Sequence, residues 1–390
     1  MIKKMNNSED IYNTILPIYV ISKILGLAPF KMTKKVFVIQ CGPIVPLRIF
    51  IVTGIMCYIA VELEKKEYAT GIAALALKCE LYLGIFMTFA VLILAVINQK
   101  DLMGVITKLV DIDENMRRIH IKINHKNSRR FVLIQMIFIS CVFLIKLMLQ
   151  YFSHTSTMIV IYSAFNFVDY INTIMLFQYV NLLLLIRQRF IWVNRKLKSI
   201  SNFSYPICVG ENKVTLTPIQ IVKHKSFLFD ARLQLEVLAK IYSKLCDISR
   251  LTNWTYNIQI LITVTSRFVM ITTQLINTYN AIRDPRRGSY IEYSVMSTYL
   301  ALHLSKIFMV ASVSENTAYT ARHTAIYLHN AWEIVPDLRN EIQYFSLQIL
   351  HQNLSFTGCG FFALDYTLIY NIVGAIATYF IIVIQLEKAF

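Results

Sequence analysis

The chain is poor in charge. Asp, Glu, Lys and Arg together supply 16% of its 390 residues, against about 25% in an average soluble domain. Gly and Pro are scarce too, at 11 and 8, which excludes collagen-like and low-complexity chains. Disorder needs low hydrophobicity, whereas 56% of these residues are hydrophobic. The seven cysteines are an odd set without a CxxC pair, so neither a disulfide framework nor a zinc ribbon is indicated. GxSxG, a Walker loop and HExxH are all missing. His120 and His125, like His323 and His329, lack the i,i+4 spacing of a helical metal pair. An enzyme is not expected, nor a cofactor or metal. Lys3, Lys4, Pro17 and Lys23 interrupt the start of the chain, and no compact apolar core precedes a small-residue cleavage site. No signal peptide is expected.

What is present is apolar length. Mean hydropathy is +0.52, and a soluble protein of this size has no interior large enough to hide so much apolar surface. The expected fold class is all-α, a polytopic membrane protein. A crossing takes roughly 20 mostly apolar residues, and seven segments qualify: Pro43–Val61, Leu81–Asn98, Phe131–Phe152, Met158–Ile186, Leu251–Ile282, Ile291–Ser314 and Gly360–Leu386. The stretch Ile11–Phe30 carries Pro17, Lys23 and Pro29, and reads as an interfacial helix rather than an eighth span.

Lys and Arg are retained on the cytoplasmic side. The N-terminus shares a side with 99–130, 187–250 and 315–359, which together hold 28 basic residues; the other side holds 7. Without the long 187–250 loop, where the rule is weakest, the ratio is still 16 to 7. The N-terminus is therefore expected inside and the C-terminus outside. The net charge of +16 accordingly points to a membrane surface and not to nucleic acid. The sequons at Asn6, Asn202, Asn253 and Asn353 fall on or beside the inner side, in agreement. A G-protein-coupled receptor has the opposite topology, and Asp-Arg-Tyr and Asn-Pro-x-x-Tyr are both absent. The expected division is a cytoplasmic N-terminal segment (1–42), spans one to four (43–186), a cytoplasmic loop with a helical extension (187–250), spans five and six (251–314), cytoplasmic anchor helices (315–359), and the seventh span with a short outer tail (360–390).

Two heptad-like seams lie on the inner side. Leu228, Ala231, Leu235, Leu238, Tyr242 and Leu245 alternate in steps of three and four, and Leu338, Ile342, Phe345 and Ile349 form a second seam. They either pack on each other within one chain or build an intersubunit bundle. Both readings have these helices continue the fourth, fifth and seventh spans into the cytosol.

In the seventh span, Asn371, Thr378 and Gln385 recur every seven residues, nearly two helical turns. Gly374, Ala375, Ile381 and Ile382 lie between them, and Val373, Ile376, Phe380 and Val383 form the other surface. Such a stripe either packs closely on another helix or lines water. Repeated around a rotation axis, it would form rings of amide and hydroxyl groups separated by aliphatic constrictions, the makings of an ion pathway. No carboxylate ring appears, so selectivity among cations would be poor.

The run from Phe345 to Lys388 resembles the C-terminal signature of insect gustatory receptors, whose hallmark is Thr-Tyr, five apolar residues and Gln. Here these are Thr378, Tyr379, Phe380–Ile384 and Gln385. Phe345, Gln348, His351, Phe356, Gly360 and Asp365 match the upstream part, and Pro17, Gly26 and Pro29 resemble the family's N-terminal stretch. The C-terminal match covers about 45 residues; the middle of the chain matches only in topology. The resemblance implies a tastant-gated, non-selective cation channel in the plasma membrane of a sensory neuron. It implies a homotetramer, or a heteromer with related receptors, whose seventh helices form one central pore. It further implies a small-molecule pocket in the outer half of each subunit and an intracellular anchor, with Gln385 near the outer gate. The sugar-responsive branch tends to carry an acidic residue where this chain has Phe380. A bitter or plant-derived compound is therefore a better expectation than a common sugar, with a fructose-type ligand still open. The family's usual aromatic after Gln is Leu386 here. An odorant receptor subunit is the nearest alternative, and a secondary transporter the alternative from another class, although no internal repeat is visible.

Ionisable residues inside spans invite a functional reading. They are Arg48, Lys146, Arg267 and Lys306, with Asp169, Glu292 and Asp365. Lys146 and Asp169 are expected to form a structural ion pair across an axial offset of ~8 Å, while Arg48 and Asp365 sit near span ends and would snorkel. A pocket needs mostly apolar walls with a few placed polar groups. The outer-half candidates are Gln150 and Tyr151 (span three), Tyr162 and Asn166 (four), Thr273, Gln274 and Asn277 (five), and Tyr293, Thr298 and His303 (six).

Overall fold

The structure is a computed structural model. It describes residues 8–32, 37–39, 50–54, 57–58, 61, 72–121, 123–153, 156–201, 218–283, 290–334 and 336–389. Most of the first expected span, Pro43–Val61, lies outside the described residues together with Arg48, and so do the side chains of Tyr162 and Glu292.

Helix α1 (Ser8–Ile24) contains Pro17 and buries Ile11, Ile15, Ile18 and Tyr19. It packs against α4 and α5, defined below. Its C-terminus is a Schellman motif. Gly26 has φ +84°, the Leu27 amide donates to the Ser22 carbonyl at 2.8 Å, and the Gly26 amide donates to Lys23 at 3.3 Å. That left-handed residue is why glycine stands there. The chain then enters a short hairpin, β1 (Phe30–Met32) against β2 (Phe37–Ile39). The Tyr19 hydroxyl ties it back, donating to the Phe30 carbonyl at 2.8 Å and accepting from the Met32 amide at 3.0 Å.

Helix α2 (Ile72–Ile97) ends at Asn98, and α3 (Gln99–Arg118) departs at 59°. The turn is held from outside, since the Asn98 side-chain amide donates to the Thr255 carbonyl at 2.7 Å. Helix α3 buries Leu102, Val105, Ile106, Leu109, Val110 and Met116. The residues 99–130, expected as a loop, thus include an amphipathic helix.

Helices α4 (His125–Ser153) and α5 (Ser156–Ser201) follow, then α6 (Pro218–Arg283) and α7 (Tyr290–Arg322). At 1.5 Å per residue, the 66 residues of α6 reach ~100 Å and the 46 of α5 about 70 Å. A hydrocarbon core of about 30 Å cannot hold either. Both therefore run through the membrane and on beyond it, as expected of the fourth and fifth spans. Among the described residues four helices are long and apolar enough to cross, five if the bent pair α2–α3 counts as one span. The last helix has a shorter apolar portion, Tyr366–Ile382.

Beyond α7 come α8 (Thr324–Ile334), a 3₁₀ turn and α9 (Arg339–His351). The two seams meet here within one chain. The Tyr242 ring lies 5.7 Å from that of Phe345. Gln348 donates to the Ala239 carbonyl at 3.1 Å, and Arg232 pairs with Glu341 at 2.6 Å. The second seam does not continue into the seventh span, contrary to expectation. A hairpin of β3 (Thr357–Gly358) and β4 (Phe362–Ala363) separates α9 from α10 (Tyr366–Ala389). Cys359 and Gly360 both have positive φ, 51° and 76°, and the Phe361 amide closes the turn onto the Gly358 carbonyl at 3.0 Å, as in a type I′ turn. Asp365 does not snorkel; it caps α10, accepting from the Thr367 amide at 2.9 Å.

A buried ion pair locks the end of the bundle near α3. Arg189 on α5 is fully buried and grips Asp113 of α3 with two bonds, Nε to Oδ1 at 3.0 Å and Nη2 to Oδ2 at 2.8 Å. The first turn of α4 joins through His125, whose Nε2 is 3.4 Å from the same carboxylate.

Candidate functional site

Four helices bring their charged residues to one point. Asp169 of α5 accepts from Lys306 of α7 at 2.7 and 2.9 Å and lies 2.7 Å from Nη1 of Arg267 on α6. Lys146 of α4 is 3.7 Å away. The expected Lys146–Asp169 pair therefore exists, but Asp169 lies closer to two other cations. Lys146 also stands 3.4 Å from the centre of the Tyr299 ring, a cation–π contact strengthened by the dry surroundings. Charges are this costly to bury unless paired, and the pairing explains why α4, α5, α6 and α7 meet here.

A polar network extends from the charges. Gln150 donates to the Tyr299 hydroxyl at 3.0 Å, Asn166 donates to Gln150, and Nδ1 of His303 lies 2.9 Å from Arg267 Nη1. A small cavity opens beside it, with Gly84 and Met87 of α2, Phe165, Val168 and Asn172 of α5, Met270 of α6 and Tyr299 of α7 among its walls, together with Asp169, Arg267 and His303. The space open to the centre of a water molecule is about 20 Å³, room for about one water. The cavity is small.

Of the expected pocket residues, the structure brings Gln150, Asn166 and His303 to this cluster. Tyr151 is 59% exposed on α4, away from it. The Tyr293 hydroxyl donates to the Ala281 carbonyl at 3.0 Å, and Thr298 bonds the Ser294 carbonyl of its own helix at 2.7 Å. Thr273 is buried, Gln274 and Asn277 are half-buried, and none of the three lines the cavity. Tyr299, Met87 and Asn172 were not anticipated. Tyr299 lies seven residues before Lys306, so helical spacing from an in-span charge was the signal that could have found it.

The last helix shows two faces. Leu368, Ile372 and Ile376 are buried against the rest of the chain, while Asn371, Gly374, Thr378, Ile381, Ile382 and Gln385 are exposed and Ala375 is half-exposed. Val373, expected on the opposite surface with Ile376, is 53% exposed, and Phe380 is half-buried. The stripe of small and polar groups points away from its own chain. Helix α10 rests on α6 and α7. Tyr379 meets Phe268 edge-on with centroids 5.7 Å apart, Phe380 meets Tyr279 at 6.1 Å, and Asn316 donates to the Tyr366 hydroxyl at 3.1 Å. Phe268 is the residue after Arg267, so cavity wall and last helix are one residue apart.

The profile of the 7tm chemosensory receptor family matches residues 15–390. Gustatory receptor 28a of Drosophila melanogaster is 22% identical over 423 aligned positions, covering 98% of this chain and 93% of that protein. Gustatory receptor 2a of the same fly is 30% identical over 177 residues, 38% of this chain and 40% of that protein. The gustatory receptor for bitter taste 66a is 26% identical over 201 residues, 49% and 38% of the two chains. Gustatory receptors 2a and 66a are thus matched over well under half of their length. Among solved structures, the olfactory receptor OR5 of Machilis hrabei superposes with a TM-score of 0.67 at 14% identity, over 98% of this chain and 100% of that one. Its complex with eugenol gives 0.65 at 13%, which shows the same fold.

Proposed function

From the premise that the chain belongs to the 7tm chemosensory receptor family, as a helical membrane receptor and not an enzyme, we propose that it is a gustatory receptor working as a tastant-gated, non-selective cation channel. Four copies surround one axis, and the exposed face of each α10 lines the path. Asn371, Thr378 and Gln385 supply the rings of amide and hydroxyl groups, and Ile381 and Ile382 the constriction. The observation that carries this reading is the division of α10 into a buried aliphatic face and an exposed one that holds its small and polar residues together with Ile381 and Ile382. A helix packed only for stability turns its small and polar residues toward a neighbour in its own chain; this one turns them outward.

The tastant enters the cavity around Arg267 and Tyr299 in the outer half of the bundle. Because the cavity has room for about one water, a larger ligand must part α2, α5, α6 and α7 to fit. Movement of α6 at Arg267 carries Phe268, which bears on Tyr379 beside Thr378. The work comes from tighter binding to the parted state. The cytoplasmic N-terminus follows from the basic residues, and the setting is the plasma membrane of a sensory neuron. Phe380 in the place of an acid, and the similarity to a bitter receptor, favour a bitter or plant compound. An odorant receptor subunit or a transporter would give different recordings.

Cysteine scanning tests the pore. Asn371→Cys, Thr378→Cys and Ile381→Cys, in a background with exposed Cys57 and Cys141 changed to Ser, should react with aqueous thiol reagents, and the reaction should block ligand-evoked whole-cell current. If all three positions stay unreactive with and without ligand, the pore does not run along this face. Saturable uptake without current would identify a transporter.

A further inference from the structure

Among the described residues, cations outnumber carboxylates around Asp169. Three permanent or potential cations, Lys146, Arg267 and Lys306, surround one carboxylate among the described residues. Arg267 is 1% exposed and lines the cavity. Its Nη1 is engaged by Asp169 and His303, yet its Nε and Nη2 meet no acceptor. Arg stays protonated in proteins, and a buried guanidinium with unmet donors is costly. A group that supplies acceptors and negative charge at this point would relieve both costs.

A second residue lining the same cavity carries a buried atom with the opposite need. Asn172 is fully buried, and its side-chain nitrogen donates to the Val168 carbonyl at 3.0 Å and to Thr88 at 3.2 Å. Because the Val168 oxygen can only accept, this orientation of the amide is fixed. Oδ1 of Asn172 is left without a donor. The walls of the cavity also include Met87, Phe165, Val168 and Met270, and two of these are methionines, which repack readily.

We propose that the cavity binds a small organic anion that also carries a hydroxyl group, a hydroxy acid with an apolar or aromatic body. Its carboxylate accepts from Nε and Nη2 of Arg267, a two-point contact suited to the planar fork. Its hydroxyl donates to Oδ1 of Asn172, and its body separates the methionine walls. This names the ligand class for the site of the proposed receptor and rests on that placement of the tastant, though not on ion conduction.

The test is a matched ligand series on the full-length protein in lipid nanodiscs, read by thermal shift and by radioligand displacement. 4-Hydroxybenzoate, 4-hydroxybenzamide, 4-hydroxybenzyl alcohol and 4-hydroxybenzylamine share one skeleton, and benzoate lacks only the hydroxyl. The hydroxy acid should bind at least about tenfold tighter than the amide and the alcohol, with the amine weakest and benzoate intermediate. Arg267→Gln should bring acid and amide to within about twofold. The wild-type series decides the matter even if that variant does not fold. Equal affinity of acid and amide, preference for the amine, or no saturable binding of the acid would overturn the proposal. Chloride alone giving the full thermal shift, with none added by the acid, would assign the site to an inorganic anion and overturn it as well. Whole-cell recording separates the two ideas. Current evoked only by neutral members leaves the channel standing and removes the anion. Binding of the acid without current under any ligand keeps the anion and removes the channel.

Discussion

Asp169 is the residue on which the cluster turns. Replacing it with Asn removes the carboxylate and leaves three cations facing one another in a dry site. Breaking a buried pair from one side costs about 3–5 kcal/mol, a large share of the stability of any domain. Asp169→Asn should therefore yield little monodisperse protein in detergent, and its thermal midpoint should fall well below that of wild type. Adding Lys306→Met to the variant removes one of the three cations and should recover part of the loss. A double variant no better than the single would mean that Lys306 takes no part in the balance. A smaller effect belongs to Gly26, where φ is +84° and a Cβ would stand at ordinary contact distance, 3.4 Å, from Leu92. There the strain is in the backbone alone. Gly26→Ala should cost about 1 kcal/mol, seen as a small drop in the same midpoint.

The residues of that cluster were visible one at a time. Lys146, Asp169, Arg267 and Lys306 stand out in any reading because charge inside a span is rare. Their convergence was not visible, because it depends on how four helices are rotated about their axes, and hydropathy is blind to rotation. For the same reason Gln150 was separable from Tyr151 only once the face of α4 was known. The C-terminal signature now has physical roles behind most of its letters. Phe345 packs on Tyr242, Phe356 is buried, Gly360 takes the left-handed turn, and Asp365 caps the helix that follows.

At the scale of elements, long apolar runs were read well and short or amphipathic ones poorly. Helices α4, α5, α6 and α7, and α2 of the bent pair α2–α3, follow from apolar length, whereas the apolar part of α10 is shorter. Helix α3 was taken for loop although Leu102, Val105, Ile106, Leu109 and Val110 carry a helical period, since charge counting drew attention to its lysines and arginines. Two-residue strands such as β3 and β4 leave almost no periodic trace. In the proposed channel the element that matters most for gating is α10, whose grip on α6 includes aromatic pairs. Edge-on ring pairs contribute about 0.5–1.5 kcal/mol beyond their buried area. Removing one should uncouple the cavity from the last helix without unfolding either. Tyr379→Ala is expected to leave ligand affinity within about twofold of wild type while evoked current falls severalfold. Phe268→Ala should do the same, and the double variant should be no worse than either single one. Independent, additive losses would show that the two rings do not act as a pair.

At the scale of the whole molecule, the outer surface is more apolar than one chain in water tolerates, and it divides in two. On α4, Phe131, Ile134, Phe138, Ile145 and Phe152 are all more than half exposed, on a helix apolar enough to cross the membrane; lipid covers them. The second patch lies on the anchor. Tyr344 and Leu350 of α9 are 78% and 73% exposed, and Phe229 and Leu233 of α6 are 74% and 52% exposed. Helix α6 is more than three times the thickness of the hydrocarbon core, so these residues stand clear of lipid, and exposed apolar clusters of this kind mark contact surfaces. The seams themselves are consumed within the chain, so a covering partner must use the opposite faces, and in the proposed tetramer another copy of the same region would meet that need. Leu350→Glu adds a charge at the centre of the α9 patch without touching the Phe345 side of the helix. Native mass spectrometry should show tetramers giving way to smaller species, with evoked current lost in parallel and the monomer's thermal midpoint moved by less than about 3 °C, the shift of a surface substitution. A tetramer of undiminished abundance in this variant would mean that the assembly is held elsewhere, and the exposed face of α9 would need another partner.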